Sequence, residues 1–300
     1  MFYTLKDKIN RKRFASQVST VLSTPPVQIQ TASPLILLSQ LQSKDVLMFL
    51  LAVKTFAARV PLGQAHLVND GSLTANDKNL LAAHIPGIQI HPLEQFQRPG
   101  CPVGGTWERL LAIAELVKEG YVVQLDSDTL TLSDIPEIRQ CVETQRGFTI
   151  GTFDHADFET METRQTRARK RLEGGDHHVQ IAAEAHFDSL KDFRHMRYVR
   201  GCSGFAGFPR NSFNTKYIED ISRQMAAAIG DRWRQWGSEQ VMSNIVVANL
   251  ENARVLPHPK YADCLRRRPG ETVFVHFIGT CRFQNGVYAK LAQEKIHELL

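Results

Sequence analysis

Asp126 and Asp128 follow directly on the apolar run Tyr121-Val122-Val123-Gln124-Leu125. That run, opened by Gly120, reads as a buried strand, and in open α/β sheets ligands bind beyond the carboxyl ends of the strands. Residues i and i+2 of an extended segment point the same way, so the two carboxylates would repel each other unless a cation lay between them. Hard oxygen ligands suit Mg²⁺ or Mn²⁺, and either ion would also hold a diphosphate. An Asp-x-Asp pair can equally make an ordinary turn that caps Ser133-Asp134-Ile135-Pro136. The position after a buried strand is what favours the metal.

The elements that would hold such a pair alternate along the chain. Val27 to Thr31, Ala65 to Val68, Ile88 to His91 and Tyr121 to Leu125 read as strands, separated by helices over Ser43 to Arg59, Thr74 to His84 and Trp107 to Glu119. This alternation predicts an α/β domain with a mainly parallel sheet covered on both faces. Further on come a strand over Gly147 to Thr152 and a polar, basic and helical stretch over residues 154–200, which is a candidate lid or acceptor-binding insertion. A Gly/aromatic segment follows at Gly201 to Phe208, then helices from about Thr215 and Glu239, a strand over Val273 to Phe277 and a last helix from about Val287. Residues 1–24 read as a basic, partly amphipathic extension, with Phe2, Leu5, Ile9 and Phe14 near one face. It would either rest on anionic lipid or pack on the domain edge. Residues 25–300 read as one domain.

These segments resemble the GT-A glycosyltransferases, and family 8 most. Leu125-Asp126-Ser127-Asp128-Thr129-Leu130 is similar to the family's DxD metal region, and Arg109 stands where family 8 members place a basic residue toward the donor, although a surface salt bridge would also explain it. His276-Phe277-Ile278-Gly279-Thr280-Cys281-Arg282 resembles the HxxGxxK element, with Arg282 in place of the lysine. Arginine keeps the charge and adds a planar fork for phosphate. The resemblance implies a metal, Mn²⁺ or Mg²⁺, on Asp126, Asp128 and His276. It implies donor contacts at Thr31, Asp70, Arg109, Ser127, Ser203, Gly204, Gly279 and Arg282.

Asp70 lies in Asn69-Asp70-Gly71-Ser72, similar to a DDGS turn whose acid touches the nucleobase; an ordinary Asn-Asp-Gly turn is the equal alternative. Gly201-Cys202-Ser203-Gly204 resembles the small-residue segment that lets a sugar approach the backbone. Glu239 and Gln240 occupy the D-Q positions of a D-Q-D-x-x-N helix start, with Val241 at the third, and the resemblance gives them the catalytic role beside the sugar. A helix N-terminus capped by Ser238 would account for the same residues. The activity implied is transfer of a hexose from a nucleotide-diphospho-sugar, a UDP-sugar foremost, to a glycan, lipid-linked or protein acceptor, with retention of configuration.

Composition sets the alternatives. The chain has 300 residues, a net charge of +5 and 43% hydrophobic residues, an ordinary globular balance. Its longest apolar run, Val46 to Val53, is far short of the roughly 20 residues a membrane helix needs. The N-terminal stretch lacks the apolar core of a signal peptide. Five cysteines without a CxxC predict reduced thiols in a cytoplasmic protein, with residues 1–24 as a contact for the inner membrane surface. A haloacid-dehalogenase-like phosphatase also places DxD after a strand. A non-catalytic nucleotide- or RNA-binding protein would use the basic clusters Arg164, Arg167, Arg169, Lys170, Arg171 and Arg266 to Arg268. No interleaved aromatic motif accompanies those clusters, so nucleic acid is not expected as a partner.

Overall fold

The computed structural model describes residues 2–152 and 156–300, without the side chains of residues 2–7 and 280. In chain order the elements are α1 (Phe2–Val18), β1 (Leu35–Leu41), α2 (Val46–Ala57), β2 (Gln64–Asn69), α3 (Ala75–His84), β3 (Gln89–Pro92), α4 (Trp107–Leu116), β4 (Tyr121–Leu125), β5 (Thr129–Thr131) and α5 (Pro136–Glu143). Then follow β6 (Phe148–Gly151), β7 (Glu159–Thr160), α6 (Met161–Glu173), α7 (Val179–Glu184), β8 (Arg197–Tyr198), β9 (Gly201–Phe208), α8 (Thr215–Ile229), α9 (Ser238–Ala248), β10 (Arg254–Leu256), β11 (Tyr261–Asp263), β12 (Phe274–His276) and α10 (Val287–Leu299). The chain divides into two compact units. One comprises Met1–His91, Leu125–Gln140 and His258–Leu300, and the other Pro92–Gln124 and Cys141–Pro257.

In the first unit β1 and β2 pair in parallel, from Ile36 opposite Gln64 to Leu41 opposite Asn69, and β3 lies beyond β2. The sequence pattern predicts a strand over Val27 to Thr31 and none over Leu35–Leu41. The structure has the reverse: Ile29 makes only an isolated bridge to Leu62, and β1 is the strand. A strand buried on both faces shows a continuous apolar run without alternation, and Leu-Ile-Leu-Leu is such a run. Helix α2 is apolar nearly all round and correspondingly buried. Its one cation, Lys54, is buried too. The ammonium donates to the carbonyls of Thr24 and Pro25, and burial lowers its pKa to about 8.

Helix α1 packs on α10. The Phe14 ring lies 4.3 Å from that of Tyr288, and Gln293 donates to the Gln17 carbonyl. Of the apolar face expected on this segment, Phe14 is buried and Ile9 exposed, while the side chains of Phe2 and Leu5 lie outside the described residues. Among the described residues no helix is long and apolar enough to cross a membrane.

A second, three-stranded sheet in this unit runs in the order β11-β12-β5. β12 pairs in parallel with β11 and antiparallel with β5, which sets His276 opposite both Asp263 and Thr129.

In the second unit the order is β10-β6-β9-β4, with β10 parallel and β9 antiparallel to β6. Helix α9 is fastened to β9 where Asn244 donates to the Gly201 carbonyl at 3.2 Å. Residues 159–200 are folded into this unit, while residues 154–155 of the expected lid lie outside the described residues. The basic cluster on α6 is ion-paired: Arg164 with Glu159 and Glu184, Arg167 with Glu159, Arg169 with Asp188 and Arg171 with Asp176. Arg164 itself is buried, which a charged residue tolerates only when paired.

Candidate functional site

The first unit gathers Asp126, Asp128 and His276. β4 ends at Leu125, and the chain turns at Asp126, whose carbonyl accepts from the Thr129 amide and hydroxyl. β5 follows at once and pairs with β12, and the Phe277 amide donates to the Asp128 carbonyl at 2.8 Å. The ladder therefore brings His276 Nε2 to 3.1 Å from Asp128 Oδ1 and 3.7 Å from Asp126 Oδ2. A carboxylate only accepts, so this nitrogen carries a proton in the arrangement described. Arg282, on the turn that leaves β12, donates to Asp128 Oδ2 and from Nε to the Phe277 carbonyl at 3.2 Å.

Both oxygens of Asp128 thus face cationic or donor groups. Burial alone would raise the pKa of this carboxyl; His276 and Arg282 outweigh it and hold it below the usual carboxylate range.

This donor set fits a hard divalent cation. One ligand atom from each of Asp126, Asp128 and His276 lies within 4.8 Å of the others, and two carboxylates with an imidazole suit Mn²⁺ or Mg²⁺. Gly279 follows in the same loop, where an added Cβ would meet open space. The chain itself leaves that flank of the loop unfilled. Ser127 is half-buried in the turn between the two carboxylates.

Cys281 in this loop is bonded to Cys264, with Cα atoms 6.0 Å apart. The sequence predicts reduced thiols, because no cysteine spacing marks a pair. The register explains the difference: Asp263 lies beside His276, so the residues that follow β11 and β12 meet.

The second unit gathers Arg109, Ser203 and Glu239. Arg109 Nη2 lies 3.3 Å from Glu239 Oε2 and donates to Ser203 Oγ at 3.3 Å. Ser203 Oγ donates to the same carboxylate at 3.2 Å, and Thr106 Oγ1 donates to it at 2.9 Å. Thr106 precedes α4 with φ at 73°, a left-handed conformation that threonine seldom adopts. Arg109 and Glu239 are only 5% and 3% exposed, so this is a buried ion pair rather than a surface salt bridge. Beside it the Trp107 indole donates to Ser238 Oγ at 2.9 Å. Gly204 is buried in β9, and Gln240 is half-buried on α9.

Two further expected donor residues sit in turns of the first unit. Asp70 accepts from the Ser72 amide at 2.9 Å in the turn after β2, the geometry of an Asx turn. Thr31 is exposed in the turn where the Ser33 amide donates to the Gln30 carbonyl. His178, an alternative metal ligand by type, is exposed and accepts from the Gln180 amide at the start of α7. Three residues escaped the sequence reading. Thr106 reaches Glu239, as above, Asp45 pairs with Arg11, and Tyr288 stacks on Phe277 beside His276. None belongs to a motif, and only proximity in the fold reveals them.

No protein-family model matches the chain, and no curated protein matches it by sequence. Solved structures do. The apo structure of the bifunctional glycosyltransferase WbbM matches with a TM-score of 0.52 at 10% identity, covering 91% of this chain and 53% of that one. The present chain thus spans about half the length of WbbM. An active-site mutant of LgtC matches with a TM-score of 0.52 at 11% identity, covering 88% of this chain and 94% of that one. These likenesses establish the fold: mixed α/β with a central, mainly parallel sheet flanked by helices, the GT-A fold of glycosyltransferases.

Proposed function

We propose that this protein is a metal-dependent glycosyltransferase that takes a hexose from a nucleotide-diphospho-sugar, a UDP-sugar foremost. The observation that carries this reading is the set Asp126, Asp128 and His276 converging within 4.8 Å, with Arg282 on the same carboxylate. The GT-A fold supports it over a phosphatase or a basic binding module.

Asp126, Asp128 and His276 would hold Mn²⁺ or Mg²⁺, which supplies Lewis-acid stabilisation of the leaving diphosphate. Arg282 adds a fixed guanidinium where negative charge develops as the glycosidic bond breaks. Gly279 leaves its backbone open to a phosphate. Nε2 of His276 would have to give up its proton, to solvent or by a shift of tautomer to Nδ1, to become a ligand.

In the second unit, Glu239 and Gln240 are assigned to the sugar on the resemblance. The hydrogen bonds from Thr106 and Ser203 and the Arg109 charge support an ionised, fixed Glu239 carboxylate. Arg109, Ser203 and Gly204 keep their donor-binding roles in this proposal, as do Thr31, Asp70 and Ser127. Retention of configuration follows from the family 8 resemblance, and the anomeric proton of the product reports it.

A thermal-shift screen of nucleotide-sugars with and without Mn²⁺ tests the reading, because a ligand that binds only the folded state raises the melting midpoint. A midpoint raised by a UDP-sugar only when Mn²⁺ is present supports it. No shift with any nucleotide-sugar counts against it.

A further inference from the structure

Asp45 belongs to none of the motifs above, yet it is a nearly buried acid held by a guanidinium. It ends the short turn before α2, and its side chain is 13% exposed. Arg11 of α1 is ion-paired to its Oδ1. Arg11 also lies over the Phe283 ring, 5.5 Å from its centroid, which brings Asp45 to the segment that carries Arg282. Burial raises the pKa of Asp45, and Arg11 and then Arg282 pull against that rise. Arg282 makes its ion pair with Asp128 instead. Burial works against the charge of Arg282, and Asp128 and then Asp45 outweigh it and favour the charged form.

Tyr288 completes the group. The side chain is buried, and its hydroxyl has no hydrogen-bond partner among the described residues. Burial first, then Asp128 and Asp45, disfavour its ionisation, and its ring stacks at 4.0 Å on Phe277, the residue after His276. α1 is fixed over this group by Phe14, whose ring lies 5.5 Å from that of Phe283, the residue after Arg282.

We propose that Arg282 and the divalent cation compete for Asp128, and that Asp45, held by Arg11, is the counter-ion that receives Arg282 when the cation binds. The inference rests on the metal reading of Asp126, Asp128 and His276. Two unit charges 4 Å apart repel by about 4 kcal/mol at an effective dielectric of about 20, and a divalent ion doubles that. A guanidinium hydrogen-bonded to Asp128 cannot stay in place beside a metal on the same carboxylate without that cost. Asp45 supplies the compensating charge, and the Tyr288 oxygen can accept a hydrogen bond from the displaced fork. Asp45 and Tyr288 are thus positioning residues. They hold Arg282 off the metal ligand and ready for a phosphate, and α1 becomes part of the donor site through Arg11.

Mn²⁺ affinity measured without nucleotide, by the electron paramagnetic resonance signal of the free ion, tests this. Arg282→Gln removes the competing cation and tightens Mn²⁺ binding by about fivefold or more, whereas Arg282→Lys stays closer to wild type. Asp45→Asn removes the alternative counter-ion and weakens binding by a similar factor. In the double variant Asp45→Asn/Arg282→Gln, the effect of Asp45 disappears. A thermal melt of each variant identifies any that fail to fold, and the Arg282 pair then decides alone. Wild-type binding of Mn²⁺ that Arg282→Gln does not tighten overturns the coupling, as does an Asp45 effect that persists in the double variant. No Mn²⁺ binding by wild type or by Arg282→Gln overturns the metal reading, and the coupling with it.

Discussion

His276 Nε2 lies 3.1 Å from Asp128 Oδ1 although 148 residues separate them in sequence. The approach is set by a strand ladder, not by loops. β12 runs antiparallel to β5 with His276 opposite Thr129, and the Phe277 amide bonds the Asp128 carbonyl. His276 is mounted on a strand, and Asp126 and Asp128 sit in the turn that the ladder holds beside it.

Asp128→Asn keeps the shape of this carboxylate and removes its charge. It leaves Arg282 without its ion-pair partner and the metal without a charged ligand. Mn²⁺ affinity is expected to fall by at least about tenfold, measured by titration calorimetry. The fold should persist, since the β5–β12 ladder uses backbone groups only; circular dichroism checks this.

Glu239→Gln keeps most hydrogen-bond capacity but removes the buried carboxylate that faces the Arg109 cation. Removing one partner of a buried ion pair costs about 3 kcal/mol or more. Urea unfolding should show a loss of that order for Glu239→Gln and for Arg109→Gln. The double variant should lose less than the sum, because the two residues are in contact.

The stacked pair His66 and His91 gives a pH signature away from the metal ligands. His66 is buried on β2, with Nε2 3.1 Å from Gln64 Oε1 and Nδ1 3.1 Å from His91 Nε2. Burial, with the His91 charge beside it, moves its pKa from 6.5 down to about 4. The unfolded chain therefore takes up this proton first as pH falls. The stability it contributes is complete above 6.5 and is lost as pH drops toward 4. The melting midpoint should decline between about pH 7 and about pH 5, and less steeply in His66→Gln.

Cys264 and Cys281 close a loop of 17 residues. A loop of this length stabilises the folded state by about 3 kcal/mol through the unfolded chain. Dithiothreitol should lower the melting midpoint of the wild type and leave that of Cys264→Ser/Cys281→Ser unchanged.

Much of this site was legible in the sequence because its signals are local. An apolar strand followed by Asp126-Ser127-Asp128 marks a sheet edge, and His276, Gly279 and Arg282 share one short segment. Glu239 and Arg109 could be named as candidates, but their contact could not, since it joins α4 to α9. Leu35–Leu41 was missed because a doubly buried strand shows no alternation. The cysteine pair was invisible because parallel pairing of β11 and β12, not spacing, brings the thiols together. Asp45 and Tyr288 belong to no motif in the sequence. Their place near Arg282 comes from packing between α1, α2 and α10, which no local pattern encodes.

The central claim is that Asp126, Asp128 and His276 hold a metal that a sugar-nucleotide donor needs. The most direct test is release of UDP from UDP-sugars by the wild-type chain, with Mn²⁺ and with excess chelator, beside Asp126→Asn. The account predicts release that requires Mn²⁺, stops with chelator and is absent in Asp126→Asn. Release that continues unchanged in chelator, or in Asp126→Asn, would contradict it.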